Sequence, residues 1–359
     1  MPSPAELFIV GFHGPRLPIE LAPRFERGDF AGLIFFRRNF QQPDDATAIA
    51  HDLEAVMSGY CPQQSPMLAP ILAIDHEGGR VQRLRGQVTV WPPMMKLADK
   101  PVALAASVGR AMAWELAALG LNVSFAPVLD VHTNPTNPII GDRAFGSSPQ
   151  AAAERALAYL RGLESEPGLR GCGKHFPGHG DTETDSHLTL PVVRRDLATL
   201  QAVELAPFRD AIAASIGMLM TAHVVYPEVD ARPATLSRKW LHDILRSQLG
   251  FSGVVVSDDL DMKAVTAQQL GIPDDSGVVV ESLLAGCDAF LFCQDAERLQ
   301  RAEEALIRAA ERSATVRERI AESAARLQRF RATLGQGQPQ WERIRQFPVP
   351  AHLQLKSQL

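Results

Sequence analysis

The chain lacks several features that would mark particular protein classes. It holds only four cysteines in 359 residues, Cys61, Cys172, Cys287 and Cys293. None forms a Cys-x-x-Cys pair, so they read as buried apolar thiols of a reducing cytoplasm. No apolar run approaches the ~20 residues needed to cross a bilayer, and no membrane partner is expected. The start, Met1-Pro2-Ser3-Pro4-Ala5-Glu6, has no basic segment followed by an apolar core, so no signal peptide is expected. Charge is spread along the chain, with a formal net of −5. Without a basic stripe or patterned aromatics, nucleic acid is not an expected partner. There is no internal repeat, no low-complexity segment and no convincing domain linker. No Gly-x-Gly-x-x-Gly opens a helix after a strand, which weakens a doubly wound open sheet.

What remains is ordinary globular composition, 46% hydrophobic and 21% charged, with length for two domains or one large α/β barrel. Short apolar runs recur, each followed by a polar loop and a longer amphipathic stretch. Strands are expected at Leu7–Gly11, Gly32–Phe36, Leu68–Ile74, Asn122–Ala126, Gly171–His175, Gly217–Thr221, Gly253–Ser257 and Ala289–Cys293. They are short and not strictly alternating, as parallel strands buried on both faces should be. Helices between them include Pro101–Ala118, Pro149–Glu164, Leu197–Ala213, Ser237–Leu249 and Ala296–Arg312. About eight β-α repeats predict an α/β fold, a (β/α)8 TIM-type barrel of regular or irregular form. The domain should span 1–334, with the helix Ala314–Leu334 packed outside. Residues 335–359 form a C-terminal tail, since 335–350 is rich in Gly, Gln and Pro.

The polar residues cluster after the apolar runs. Residues 174–187 read Lys-His-Phe-Pro-Gly-His-Gly-Asp-Thr-Glu-Thr-Asp-Ser-His and contain three of the ten histidines. Pro177, Gly178 and Gly180 prevent an ordinary helix. A polar loop at a strand end is where a barrel enzyme keeps its chemistry. Asp185-Ser186-His187 places a carboxylate two residues from an imidazole, a pair able to orient and tune a proton donor. The third strand runs into Asp75-His76-Glu77-Gly78-Gly79-Arg80-Val81-Gln82-Arg83, which reads equally as a structural Asp–Arg network. Asp130 follows the fourth strand as a partner for loop backbone groups, and His223 follows the sixth as a packed neighbour or a catalyst. Val254-Val255-Val256 leads into Ser257-Asp258-Asp259. Asp258, expected just beyond the strand, should point into the barrel mouth, as nucleophilic catalysis at a sugar carbon requires. Its alternative is a helix N-cap, a role that suits Asp259 better.

Together these segments resemble the β-N-acetylhexosaminidases of glycoside hydrolase family 3, in their single-domain bacterial form. The resemblance runs over nearly the whole chain. Its most specific part is Lys-His-Phe-Pro-Gly-His-Gly-Asp followed by Asp-Ser-His; a lone Ser-Asp-Asp would be weak. It implies a retaining glycosidase that removes terminal β-linked N-acetylglucosamine from muropeptides, in the cytoplasm, during peptidoglycan recycling. It implies Asp258 as nucleophile, His187 as acid/base and Asp185 as its dyad partner. Sugar-binding positions fall on Asp75, Arg83, Arg143, Lys174 and His175. No cofactor and no metal is expected, and the enzyme should be a monomer. One departure is His76, where a glutamine is common.

Three other readings stand beside this one. His175, His179, Asp181 and His187 cluster as the ligands of a metal-dependent barrel hydrolase would, although Pro177 and the glycines spoil the helical i,i+4 geometry of the first two. A non-catalytic sugar-binding barrel would have no need of Asp258 together with Asp185 and His187. A glycoside phosphorylase would use a histidine acid/base to avoid repelling phosphate.

Overall fold

The computed structural model describes residues 2–61, 68–182, 190–272, 274 and 276–359. One parallel sheet runs through the barrel. Its strands are β1 (Phe8–Val10), β2 (Gly32–Phe35), β3 (Ile71–Ile74), β4 (Val123–Ser124), β5 (Gly173–Phe176), β6 (Met218–Thr221), β7 (Val254–Asp259) and β8 (Ala289–Phe292). All eight coincide with the expected apolar runs. β8 pairs with both β1 and β7, so the sheet curls round on itself. The closing position is split. Arg170–Gly171 pairs with β4, whereas β5 pairs with β6. Cys172 lies between the two pieces and donates its N–H to Ser124 and Ala126. The fold is therefore the expected (β/α)8 barrel, with a break at the fifth strand.

Strand residues such as Leu33, Ile71, Leu72, Val123, Val254 and Val255 are fully buried. They face side chains inside the barrel or helices outside it, which is why their sequences do not alternate. Side-chain caps start several of the helices. Ser148 caps α3 (Pro149–Leu163) on Ala151 N, and Asp295 caps α8 (Ala296–Arg312) on Arg298 N. Further helices include α1 (Ala46–Met57), α2 (Val102–Leu119), α4 (Leu197–Ala202), α5 (Ala206–Ala213), α6 (Lys239–Gln248, wound as a π-helix), α7 (Gly277–Ala285) and α9 (Ala314–Arg331).

The stretch expected as one helix, Leu197–Ala213, is two. Leu205 N turns back to Leu200 O at 2.8 Å, and Pro207 starts the second helix where its missing N–H costs nothing. α2 has the length and hydropathy of a membrane span, but much of its surface is buried in the barrel. α9 packs outside the barrel as expected, docked by Arg319 and Arg326 on the buried Asp288 that precedes β8.

Residues 335–359 are more ordered than their composition suggests. They carry helices at Trp341–Ile344 and Pro350–Lys356. Ile344, Phe347 and Val349 are buried, and Trp114 of α2 packs against Phe347 with the rings tilted at 32°. His352 Nδ1 meets the buried Glu115 at 2.9 Å. The segment is a docked belt rather than a loose tail.

Candidate active site

The C-terminal ends of the strands converge on a cavity of about 450 Å³. Asp75, Arg83, Arg143, Lys174, His175 and Asp258 all line it. Six of the eight expected site residues thus meet in one place. The other two, Asp185 and His187, lie outside the described residues.

Asp75 follows β3 and is gripped from two sides. Lys174 Nζ lies 2.8 Å from its Oδ1 and Arg83 Nη2 lies 3.0 Å from its Oδ2. Burial alone would raise this carboxyl, but the two cations hold it well below the usual carboxylate range. The Asp–Arg network is therefore real, and it forms a wall of the cavity rather than a separate structural feature.

Glu77 was not singled out in the sequence, yet it organises this wall. It sits on a short hairpin, His76–Gly78 with Val81–Gln82. Its carboxylate takes Arg143 Nε and Nη2, both at 2.8 Å, and Lys174 Nζ at 2.6 Å. Against the cost of burial, Arg143 and Lys174 bring its pKa down to about 2. Lys174 is itself held above the ordinary lysine value, because Asp75 and Glu77 outweigh its burial. The signal for Glu77 was its place two residues beyond Asp75 in a charged motif too long to be buried unpaired. His76, between the two acids, is wholly buried, and burial with the charges of Arg83 and Arg85 pushes its pKa down to about 3.

Glu77→Gln should be costly. It leaves two buried cations short of a counter-charge, and breaking a buried pair from one side typically costs about 3–5 kcal/mol. Glu77 contributes its stability fully above pH 4.5 and loses it as the pH falls toward about 2. Urea unfolding at neutral pH should show the loss, and the variant's stability should fall less between those two pH values. Equal stability of both proteins at neutral pH would contradict this picture.

The fifth strand end supplies Lys174, His175 and the turn behind them. Asp130 is fully buried and accepts His175 N, His179 N at 2.7 Å and His175 Nδ1 at 2.8 Å. It is the backbone partner expected of it and also orients the His175 ring. With His175 Nδ1 on Asp130, its Nε2 faces Arg143 Nη2 at 3.5 Å. The glycines of the motif have distinct duties. Gly178 has φ of 136°, and a Cβ at Gly180 would overlap the carbonyl oxygen of Val131. His179 Nδ1 engages Thr182 Oγ1 at 2.8 Å, and burial with the nearby His175 brings its pKa down to about 4. Among the described residues, no group of three His, Cys, Asp or Glu side chains is arranged to hold a metal ion.

Asp258 belongs to β7, which continues to Asp259 rather than ending at Ser257. Neither acid caps a helix. Asp258 Oδ1 accepts the N–H of Asp259 at 2.8 Å. Burial would raise its pKa, but His223, His175, that N–H and Lys174 hold it below the ordinary value, so it is ionised at neutral pH. Asp259 Oδ1 instead accepts Asp261 N and Cys293 N, tying β7 to the end of β8. Burial and the charge of Asp261 push Asp259 up to about 7. Two adjacent aspartates therefore have opposite shifts. His223 is a packed neighbour of this strand end, with Nδ1 on Thr235 Oγ1 at 2.8 Å and Nε2 at 3.1 Å from Asp259 O.

The parallel barrel carries a cation-lined carboxylate pocket at its strand ends, where barrel enzymes keep their active sites, and comparison with known proteins gives the family. The Glycosyl hydrolase family 3 N terminal domain profile matches residues 13–330. A beta-hexosaminidase of Neisseria meningitidis is 44% identical over 270 residues, covering 73% of this chain and 71% of the relative. One from Pseudomonas aeruginosa is 41% identical over 282 residues, covering 78% and 80%. The solved NagZ of Neisseria gonorrhoeae in complex with N-trifluoroacetyl-D-glucosamine superposes with TM-score 0.77 at 34% identity, over 99% of this chain and 97% of that one. The family 3 β-N-acetylglucosaminidase of Paenibacillus superposes with TM-score 0.82 at 36% identity; the match takes in 92% of this chain but 62% of that longer protein. The chain belongs to glycosyl hydrolase family 3, among its β-N-acetylhexosaminidases.

Proposed function

We propose that the protein is a retaining exo-β-N-acetylglucosaminidase that hydrolyses terminal N-acetylglucosamine from muropeptides through a covalent glycosyl-aspartate. It would act as a monomer in the cytoplasm, in peptidoglycan recycling. The observation that carries the chemistry is that Asp258 lines the same cavity as Asp75, Arg143 and Lys174, whose charges pair with one another and with Glu77. The muropeptide substrate rests on the resemblance of the motifs. The N-acylated sugar is supported by the gonococcal relative's complex.

In this reading Asp258 attacks the anomeric carbon from the α face while His187 protonates the departing oxygen. Asp185 supports the imidazolium. His187 then takes a proton from water, which attacks the same carbon and frees Asp258. Two inversions give net retention. Asp75, Arg83, Arg143, Lys174 and His175 hold the sugar. The mutual pairing of their charges keeps the donors and acceptors fixed before substrate arrives, so little reorganisation is needed.

A panel of p-nitrophenyl glycosides, with and without phosphate, tests the reaction class. The β-N-acetylglucosaminide should be cleaved far faster than the β-glucoside, by up to ~10⁴-fold where buried polar groups would otherwise lose their partners. Phosphate should leave the rate unchanged. NMR of the reaction should show the β-anomer first. An initial α-anomer would contradict retention, comparable cleavage of both sugars would contradict the specificity, and a sugar phosphate product would make the enzyme a phosphorylase.

A further inference from the structure

The barrel has another cavity, of about 230 Å³, at the end opposite the active site. Gly217 and Gly253, which line it, immediately precede β6 and β7. Asp258 lies five residues beyond Gly253, about 17 Å away at ~3.3 Å per strand residue. Three guanidiniums line this cavity, those of Arg170, Arg326 and Arg329, against one acid, Glu164. Glu164 is engaged elsewhere. Its Oε1 accepts the N–H of Gly171 at 3.1 Å, and burial holds its carboxyl above the ordinary value. Arg170 uses Nε on Thr333 Oγ1 and Nη1 on Leu169 O. Among the described residues its Nη2 has no partner, and the exposed Arg329 makes no hydrogen bond or ion pair at all.

The charge behind the cavity is unbalanced as well. The buried Asp288 faces three guanidiniums, Arg246 at 2.5 Å, Arg326 at 2.9 Å and Arg319 at 3.4 Å. One carboxylate does not neutralise three cations. The other acid at these arginines is the exposed Glu322, 2.5 Å from Arg319 and 3.9 Å from Arg326. With Arg170, Arg329 and Glu164 counted, five guanidiniums stand against three carboxylates, and the excess positive charge borders an open space. Ser215, Ser252 and Thr333 add hydroxyls to the same wall.

We propose that this cavity binds a phosphate dianion, free or as the monoester of a small sugar. The tetrahedral oxygens of phosphate accept the planar forks of several arginines at once, and such charged bonds are stronger than neutral ones. A monoester carries roughly 1.5 to 2 negative charges at neutral pH, which matches the local excess. The hydroxyls of Ser215, Ser252 and Thr333 would meet the rest of the ligand. At about 230 Å³ the cavity falls below the ~300–1,000 Å³ of drug-sized sites, which limits the ligand to a phosphate or a phosphorylated monosaccharide. Its distance from Asp258 means that occupancy should leave the glycosidase rate unchanged.

Titration calorimetry of the intact protein at about 0.15 M ionic strength, where weak surface attraction is screened, tests this. The probes are inorganic phosphate and glucose 6-phosphate, with glucose as the uncharged control. Glucose is chosen because it lacks the N-acetyl group of the sugar proposed for the active site. A phosphate probe should bind saturably at about one per chain, with Kd below ~1 mM, and glucose should not bind. Tighter binding of glucose 6-phosphate supports a monoester as the ligand, and binding of inorganic phosphate at least as tight supports free phosphate. Arg329→Glu should abolish the binding. Arg329→Ala and Arg170→Gln should each weaken it roughly tenfold or more, as loss of a charged hydrogen bond does. Cleavage of the p-nitrophenyl N-acetylglucosaminide should be unchanged in Arg329→Glu, which also shows that this variant is folded. If Arg170→Gln proves unstable, the Arg329 variants carry the test alone. No saturable binding of either phosphate, binding that survives Arg329→Glu, or acetate bound as tightly as phosphate would overturn the proposal.

Discussion

Asp258→Ala should fold normally and lose turnover on the order of 10⁴-fold or more on every glycoside. The size follows from the proposed role: the variant lacks the carboxylate proposed to form the covalent bond, and no neighbour replaces it. Asp259 is adjacent, but its carboxylate is committed to Asp261 N and Cys293 N, and burial with the charge of Asp261 pushes its pKa up to about 7. Folding should survive because Asp258 makes a local bond to the next residue's N–H rather than a long-range tie. Removing a buried carboxylate also relieves a desolvation cost. Azide offers a discriminating readout. A small anion can occupy the vacated space and attack the anomeric carbon once, so an activated substrate should give the α-glycosyl azide. Turnover within tenfold of the parent would contradict the nucleophile assignment. So would a β-azide.

His187→Ala should separate the two chemical steps. For a substrate with a poor leaving group, kcat/KM should fall by about 10²–10⁴-fold, the usual worth of general acid catalysis. For the dinitrophenyl glycoside kcat/KM should change little, since the departing phenolate needs no proton. Its kcat should still fall, because the proposal has the same histidine activate water in the second step. The glycosyl-enzyme then accumulates and KM falls with kcat. Azide, which needs no deprotonation, should restore kcat for this substrate. Uniform losses across leaving groups, or an unchanged KM with no azide effect, would count against His187 as acid/base.

Much of this architecture is legible in the sequence because each barrel strand is a short apolar run that must be buried on both faces. Val254-Val255-Val256 and Ile71–Ile74 show it well. The helix starts at 149 and 296 were also legible, and their caps, Ser148 and Asp295, need only local N–H groups. Other features depend on distant partners. Asp259 has the composition of a cap, but its partner N–H on Cys293 comes from the next strand. Glu77 is defined by Arg143 and Lys174, far along the chain. The first part of the belt, 335–350, is rich in Gly, Gln and Pro by composition, yet α2 offers Trp114 and Glu115 as docking points. The break after Val203 is local, but a single backbone turn to Leu200 O decides it. Of the site, the cavity-lining residues were readable as charged groups following buried strands. The Asp75–Arg83 pairing was readable too, but the part Glu77 plays in it was not.

The claim on which the rest depends is a covalent bond between the sugar and Asp258. Incubation with an activated fluorinated glycosyl substrate, which slows the second step, followed by intact-mass measurement and peptide mapping, tests it most directly. The account predicts one added glycosyl group per chain, located on Asp258, and no label on Asp258→Ala. A label on Asp259 or Asp261, or an inactivated enzyme with no adduct, would contradict it.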